Sequence, residues 1–252
     1  MQELLAGILP SDRFFGPLDW ENYFGLEISL GLPPDMTDLK AILNQDCPFV
    51  PGKKVSETHY LFCLPNNFSA KNLSALRTNW SSSSENQIKF SLYPDVVKRS
   101  ATRCEAPDSF KINNFNAQSN WYLAFKGFVP GYEEKTWSQQ VEGIYYNRDF
   151  ENPKFIYEIP KAIEVIPMFF MVYVKNGKII ESCGYGRTSD QYNSYFKNFG
   201  YKESRHDYKE GSIPAHAAVG FFTGGTICVS NSGQDTLAGS GLSVFAHRRI
   251  VN

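Results

Sequence analysis

The chain contains three β-rich runs close to its C-terminus, His216–Phe222, Thr226–Ser230 and Leu242–Arg249, separated by glycine, serine, asparagine and aspartate. Valine, isoleucine, threonine and phenylalanine dominate the first two, as in strands that pack on a pleated, half-buried surface. Such a terminal meander is held by Val219, Phe221, Ile227, Val229, Leu242, Val244 and Phe245, and it displays the polar loops between its strands. What constrains the function is whether those loops serve chemistry or recognition.

With 252 residues the chain suffices for one large domain or two small ones. That length buries about three quarters of the unfolded surface. Aromatic residues reach 15%, which points to a β-rich architecture or an aromatic binding surface. The net charge of −1, without a basic block, argues against nucleic acid as the main partner. No apolar run is long enough to span a bilayer. The opening residues lack a basic segment followed by a full apolar core, so no signal peptide is read. A cytoplasmic location, or export by a non-classical route, is the expectation, and the opening segment reads as a short docking element. Cys47, Cys63, Cys104, Cys183 and Cys228 are odd in number and show no C-x-x-C spacing. They form neither a zinc framework nor a disulfide scaffold. Cys63 and Cys228 sit in apolar strand patterns, as buried thiols do.

Along the chain, residues 1–34 read as an irregular aromatic extension. Phe14, Phe15, Trp20, Tyr23 and Phe24 pack by their rings, and residues 35–252 form a single domain. A short helix follows, capped by Asp35 or Thr37, with Met36, Leu39, Ile42 and Leu43 on its apolar face. Two prolines and a glycine make a turn of residues 46–55, which feeds a strand over His59–Pro65. Ser81–Ser84 lie in a polar loop. Trp121–Lys126 is a second strand, with a turn at Pro130–Gly131. Residues 157–177 fit two patterns equally. Asn176–Gly177 suits a hairpin turn, while Pro160 suits a first helical position and Gly177 a helix stop. Residues 183–213, rich in glycine, tyrosine and charge, read as a long loop.

Three motifs carry a resemblance. Asp46–His59, followed by its apolar strand and preceded by Trp20–Gly25, resembles a signature of an uncharacterised bacterial family numerous in environmental chlamydiae. Tyr157–Glu164 is similar to the start of a helix in formylglycine-generating-enzyme-like domains, a branch of the C-type-lectin fold. The terminal meander is similar to the close of those domains. The resemblance implies an α+β, C-type-lectin-like fold with short twisted antiparallel sheets, a few helices and long loops, and it favours helix at Pro160. The catalytic branch carries a copper-binding cysteine pair near its last strands, where this chain has Cys228 alone. Related sulfoxide synthases place three histidines on iron, whereas His59, His206, His216 and His247 lack ligand spacing. The calcium-binding lectin motifs are absent as well.

Candidate chemistry is sparse. Cys47 lies near Lys53, Lys54 and His59, which allows an activated thiol or a packed turn cysteine. His206, Asp207, Glu203 and Arg205 allow an acid/base dyad or a salt-laced loop. Gly184–Gly186 and Gly224–Gly225 lack the residues of a phosphate loop. A different composition gathers at Tyr185, Tyr192, Asn193, Tyr195, Tyr201 and Tyr208. A second polar set, Ser230, Asn231, Ser232, Gln234, Asp235 and Thr236, is expected between the last two strands. Tyrosine with serine, glycine and asparagine is the composition of recognition surfaces. The expectation is a non-enzymatic protein binding a protein or glycan through these residues, with no cofactor. Two alternatives are a subunit of a surface, phage-like or injection-type particle docking through the aromatic N-terminus, with possible self-assembly, and a thiol- or metal-dependent enzyme.

Overall fold

A computed structural model describes residues 7–28, 36–65, 120–146, 156–177, 184–196, 211–222, 226–233 and 242–250. It is α+β, with two small open sheets and helices of modest length.

A single turn over Ser11–Arg13 leads into strand β1, Phe14–Phe15, and helix α1, Pro17–Phe24. Asp19 starts α1 by accepting a hydrogen bond from the Gly16 N–H at 2.8 Å. Pro17, which has no N–H to leave unpaired, occupies the first turn. Gly25 stops the helix in the left-handed region at φ 64°. Helix α2, Met36–Leu43, buries Leu39, Ile42 and Leu43 as its spacing predicts. After the turn come a four-residue helix α3, Val55–Thr58, then β2, His59–Cys63, and β3, Trp121–Phe125. The polar stretch containing Ser81–Ser84 lies outside the described residues.

Helix α4 spans Trp137–Tyr146, strand β4 Tyr157–Glu158 and helix α5 Ala162–Asn176. The segment that fitted helix or hairpin is therefore a helix, ended by Gly177 at φ 63°. Pro160 is not its first residue. Lys161 is the N-cap, and Pro160 precedes it with its carbonyl accepting from the Ser189 N–H at 2.9 Å. Every residue of α5 from Ala162 to Met171 is buried. A helix apolar on all sides is a core helix, so α5 tolerates Pro167 where an amphipathic surface helix would gain little from packing.

Strand β5, Gly184–Phe196, pairs antiparallel with β6, Gly211–Phe222. The expected long loop over 183–213 is thus corrected at Gly184–Phe196 and from Gly211 onward, while residues 197–210 lie outside the described residues. The tyrosines, Thr188 and the serines suit a strand once a partner satisfies the backbone, and β6 supplies that partner. A register shift between Arg187 and Gln191 interrupts the ladder. At this bulge Asp190 accepts the Ala162 N–H at 2.6 Å and the Thr188 hydroxyl at 3.0 Å, so it anchors the start of α5.

Strand β7 is Thr226–Gly233, β8 Leu242–Val244 and β9 His247–Ile250. Only β6 and β7 form the expected meander. β8 runs parallel to β5, and β9 leaves for the other sheet, where it lies between β3 and β4. The orders are β1-β2-β3-β9-β4 and β7-β6-β5-β8. The β1–β2 and β5–β8 pairs are parallel, so the sheets are mixed rather than purely antiparallel. Phe245, at the crossing between β8 and β9, packs on Phe169 of α5 at 5.3 Å between ring centroids. Val219, Val244 and Phe245 are buried as expected. Gly186 lets this crossing close, because a Cβ there would meet the Phe245 ring and lie 2.7 Å from Phe128.

The aromatic N-terminal segment is part of the core. Phe14, Phe15, Trp20 and Phe24 are buried, and Tyr23 is 39% exposed. Lys175 of α5 pairs with Asp19 at 2.8 Å and donates to the Phe14 carbonyl at 2.7 Å, tying the segment down. The rings expected to form a docking strip are therefore largely spent on the interior.

Candidate functional site

The expected recognition residues fall on the β7-β6-β5-β8 sheet. Tyr185 is half-buried near the start of β5. Tyr192, Asn193 and Tyr195 belong to β5, and Ser230, Asn231 and Ser232 belong to β7 rather than to a loop. Their backbones fit a strand, since Ser230 continues the ladder opposite Ala218. The register brings the two sets to opposite sides of β6. Tyr192 pairs with Ala215, whose other neighbour is Gly233. Gln191 and Ser232 flank His216 in the next row. Tyr201, Tyr208, Gln234, Asp235 and Thr236 lie outside the described residues, as do His206, Asp207 and their neighbours.

This sheet is seated on α4 and α5. His216 stacks on Trp137 with ring centroids 3.7 Å apart. Arg187, fully buried, donates to the Gln140 amide oxygen at 3.0 Å and to the Lys135 carbonyl at 3.2 Å. Burial, with the Arg187 charge, lowers the His216 pKa to about 4.

The other sheet carries polar groups on both faces. Alternation along β9 sends His247 and Arg249 toward α5. There Glu158 accepts from His247 Nε2 at 3.1 Å and pairs with Arg249 at 2.9 Å. Glu164 lies 3.9 Å from His247 and 4.0 Å from Arg249, and it accepts the Tyr122 hydroxyl at 3.3 Å. Tyr122 stacks on the His247 ring at 4.8 Å. Burial works against ionisation of Glu158, but the hydrogen bonds and charges of His247 and Arg249 outweigh it and hold the carboxyl below its usual range. Glu164 and His247 border a cavity of about 10 Å³ beside Pro160 and Met168. That is room for a single water, so this cluster has the geometry of a clamp on α5.

On the opposite face His59 is fully buried. Its Nε2 meets the Tyr157 hydroxyl at 2.9 Å and its Nδ1 the Thr58 hydroxyl at 2.9 Å. Thr58 donates to the Lys54 carbonyl at 2.9 Å, so it accepts from Nδ1–H, and Nε2 accepts from Tyr157. Burial and the Arg248 charge push the His59 pKa down to about 3. With both nitrogens engaged, His59 has none left to activate Cys47, which is a buried free cysteine. Lys53 and Lys54 are paired with Glu57 at 3.1 Å and Asp46 at 2.6 Å on the exposed turn. The thiol-and-histidine pair allowed by sequence proximity is therefore not assembled.

These two histidines set a pH dependence. Both folded pKa values lie below the ordinary 6.5, so the unfolded chain binds more protons between about 3 and 6.5, and stability rises with pH across that window. The contribution is complete above 6.5 and is lost as pH falls toward the folded values. Each histidine contributes a slope of up to about 1.4 kcal/mol per pH unit. Urea unfolding at successive pH values is expected to show this decline, and His216→Phe to reduce it by one proton's worth. A flat profile below neutrality contradicts the assignment.

Comparisons with protein-family models, curated proteins and solved structures return no match. Among the described residues, no group of three or more histidine, cysteine, aspartate or glutamate side chains is placed to hold a metal ion. Likewise, no described helix is long and apolar enough to cross a membrane.

Proposed function

We propose that this protein is a non-enzymatic recognition module that presents β5, β6 and β7 to a protein or glycan partner. The observation that carries the reading is the register. Tyr192–Tyr195 and Ser230–Ser232, distant in sequence, flank the one strand β6. Adjacent strands lie about 4.8 Å apart, so the two sets fit within one ligand footprint. Tyrosine gives wide contact at small entropy cost, while serine and asparagine adapt their hydrogen bonds. The Asp190, Arg187 and His216 contacts fix the sheet to two helices, and a rigid support suits a binding surface.

We also infer a C-type-lectin-like fold of the formylglycine-generating-enzyme-like branch, resembling the bacterial family that shares the Asp46–His59 signature. Support comes from the passage of Tyr157–Glu158 into the helix that holds Glu164, and from the small mixed sheets.

The test uses the full chain on a glycan array and against a displayed peptide library. A joint Tyr192→Thr, Tyr195→Thr, Asn231→Thr variant retains β-forming residues. It is expected to change unfolding free energy by no more than about 0.5 kcal/mol per site and to weaken the selected ligand at least about tenfold, or 1.4 kcal/mol. A ligand held equally well by the variant, or no ligand from either collection, overturns the reading.

A further inference from the structure

Between His247 and Arg249, Arg248 projects to the face of the sheet that holds His59 and Tyr157. It is 5% exposed. Its guanidinium lies 4.1 Å from the centroid of the Tyr157 ring. Nη1 donates to the side-chain oxygen of Gln45 at a long 3.4 Å, and Nε is buried with no hydrogen-bond acceptor. The carboxylates of Glu158 and Glu164 are directed to its neighbours His247 and Arg249. Among the described residues no carboxylate pairs with Arg248.

The surroundings carry the imprint of this unbalanced charge. The cations Arg248 and Lys126 both act to lower the His59 pKa, after burial itself, and no carboxylate opposes them there. Burial pushes the Tyr157 phenol up, against the charge and hydrogen bond of Arg248, so the phenol stays neutral and gives Arg248 a dipole rather than a counter-charge. A buried cation without a counter-charge is destabilising, so an anion bound at this position would stabilise the fold. Access is short, because Gln45, the amide in contact with the guanidinium, is exposed.

The chemistry of the ligand follows from the single charge and the planar group. The Tyr157 ring covers one face of the guanidinium, and the buried in-plane Nε–H is left for an acceptor. A carboxylate matches the in-plane edge of a guanidinium with two oxygens and one negative charge. A phosphate dianion would call for a second cation, and Lys53 and Lys54 of the neighbouring loop are already paired.

We propose that Arg248 is a receptor for a small organic carboxylate, with the Gln45 side chain as the neutral group the ligand displaces. This site lies on the other sheet and does not rest on the recognition surface described above.

Thermal unfolding of the full chain in rising sodium acetate, at ionic strength held constant with sodium chloride, tests the assignment, with inorganic phosphate as a parallel arm. Acetate is expected to raise the Tm along a saturating curve, and phosphate to leave it at the chloride value. Arg248→Met is expected to remove the response. Gln45→Glu supplies a resident carboxylate from an exposed position, and is expected to raise the Tm without acetate and abolish the acetate effect. An absent acetate response, an equal response to phosphate, a response that survives Arg248→Met, or a lower Tm in Gln45→Glu overturns the proposal. Should Arg248→Met not fold, the Gln45→Glu variant decides.

Discussion

Replacing Trp20 by alanine is expected to cost about 3–5 kcal/mol of unfolding free energy, the range for deleting a buried large aromatic side chain. The indole is fully buried, its N–H donates to the Cys63 carbonyl at 2.9 Å, and its ring packs on Phe24 at 5.4 Å and Phe62 at 5.9 Å. Alanine opens a cavity between α1 and the five-stranded sheet and also withdraws a donor from a buried carbonyl. Trp20→Phe retains most of the apolar contact and loses the hydrogen bond, so about 1–2 kcal/mol is expected. Denaturant unfolding distinguishes the two. A docking strip on the surface would give a loss within about 0.5 kcal/mol for either variant, and that result would remove the N-terminal segment from the core.

Glu164→Leu is the second large effect, with an expected loss of about 3–5 kcal/mol, as for a buried ion pair broken by removing one partner. Glu164 performs several tasks from one buried carboxylate. It accepts the Lys161 N–H at 2.8 Å at the start of α5, accepts the Tyr122 hydroxyl, and supplies negative charge near His247 and Arg249. Leucine fills the space but removes all of these contacts. Glu164→Gln preserves hydrogen-bonding capacity without the charge, so a smaller loss is expected, and the difference between the variants measures the electrostatic share. Equal stability of Glu164→Leu and the unaltered protein in urea would show that Glu158 alone supports His247 and Arg249.

The parts of this fold legible in the sequence are those specified locally. Leu39, Ile42 and Leu43 repeat at helical spacing, and the apolar run after His59 can only be a buried strand or a short helical piece. Helix α5 was ambiguous for a physical reason. Ile163, Ile166, Phe170 and Val174 fit helical spacing, but most residues between them are apolar too because core surrounds the helix. Pro167 argues against a helix, and the β-branched content with Asn176–Gly177 fits a hairpin as well. Strand β5 reads as a loop because glycine, serine, asparagine and aspartate are interspersed among its tyrosines. Its extended state depends on β6, some twenty residues away, and on the bulge that turns Asp190 toward α5. The recognition residues were visible by composition, but their placement on either side of β6 required the register.

The buried polar groups were the least legible. Glu158 and His247 are brought together only because β9 crosses into the first sheet beside β4. A signal was present in His247, Arg248 and Arg249 themselves. Three consecutive cationic or ionisable residues in a largely buried strand call for polar neighbours. Alternation then divides them, two toward the carboxylates and one toward Tyr157, and this division leaves Arg248 without an acidic partner.

Hydrogen–deuterium exchange of the full chain, free and saturated with a ligand selected from the glycan or peptide collection, tests the central claim most directly. Slowed exchange is expected in peptides covering 192–195 and 230–232, with the 14–24 segment unchanged because its protection comes from the core in both states. Protection confined to 14–24, or to 36–65, with β5 and β7 unaffected, would contradict a recognition surface on the second sheet.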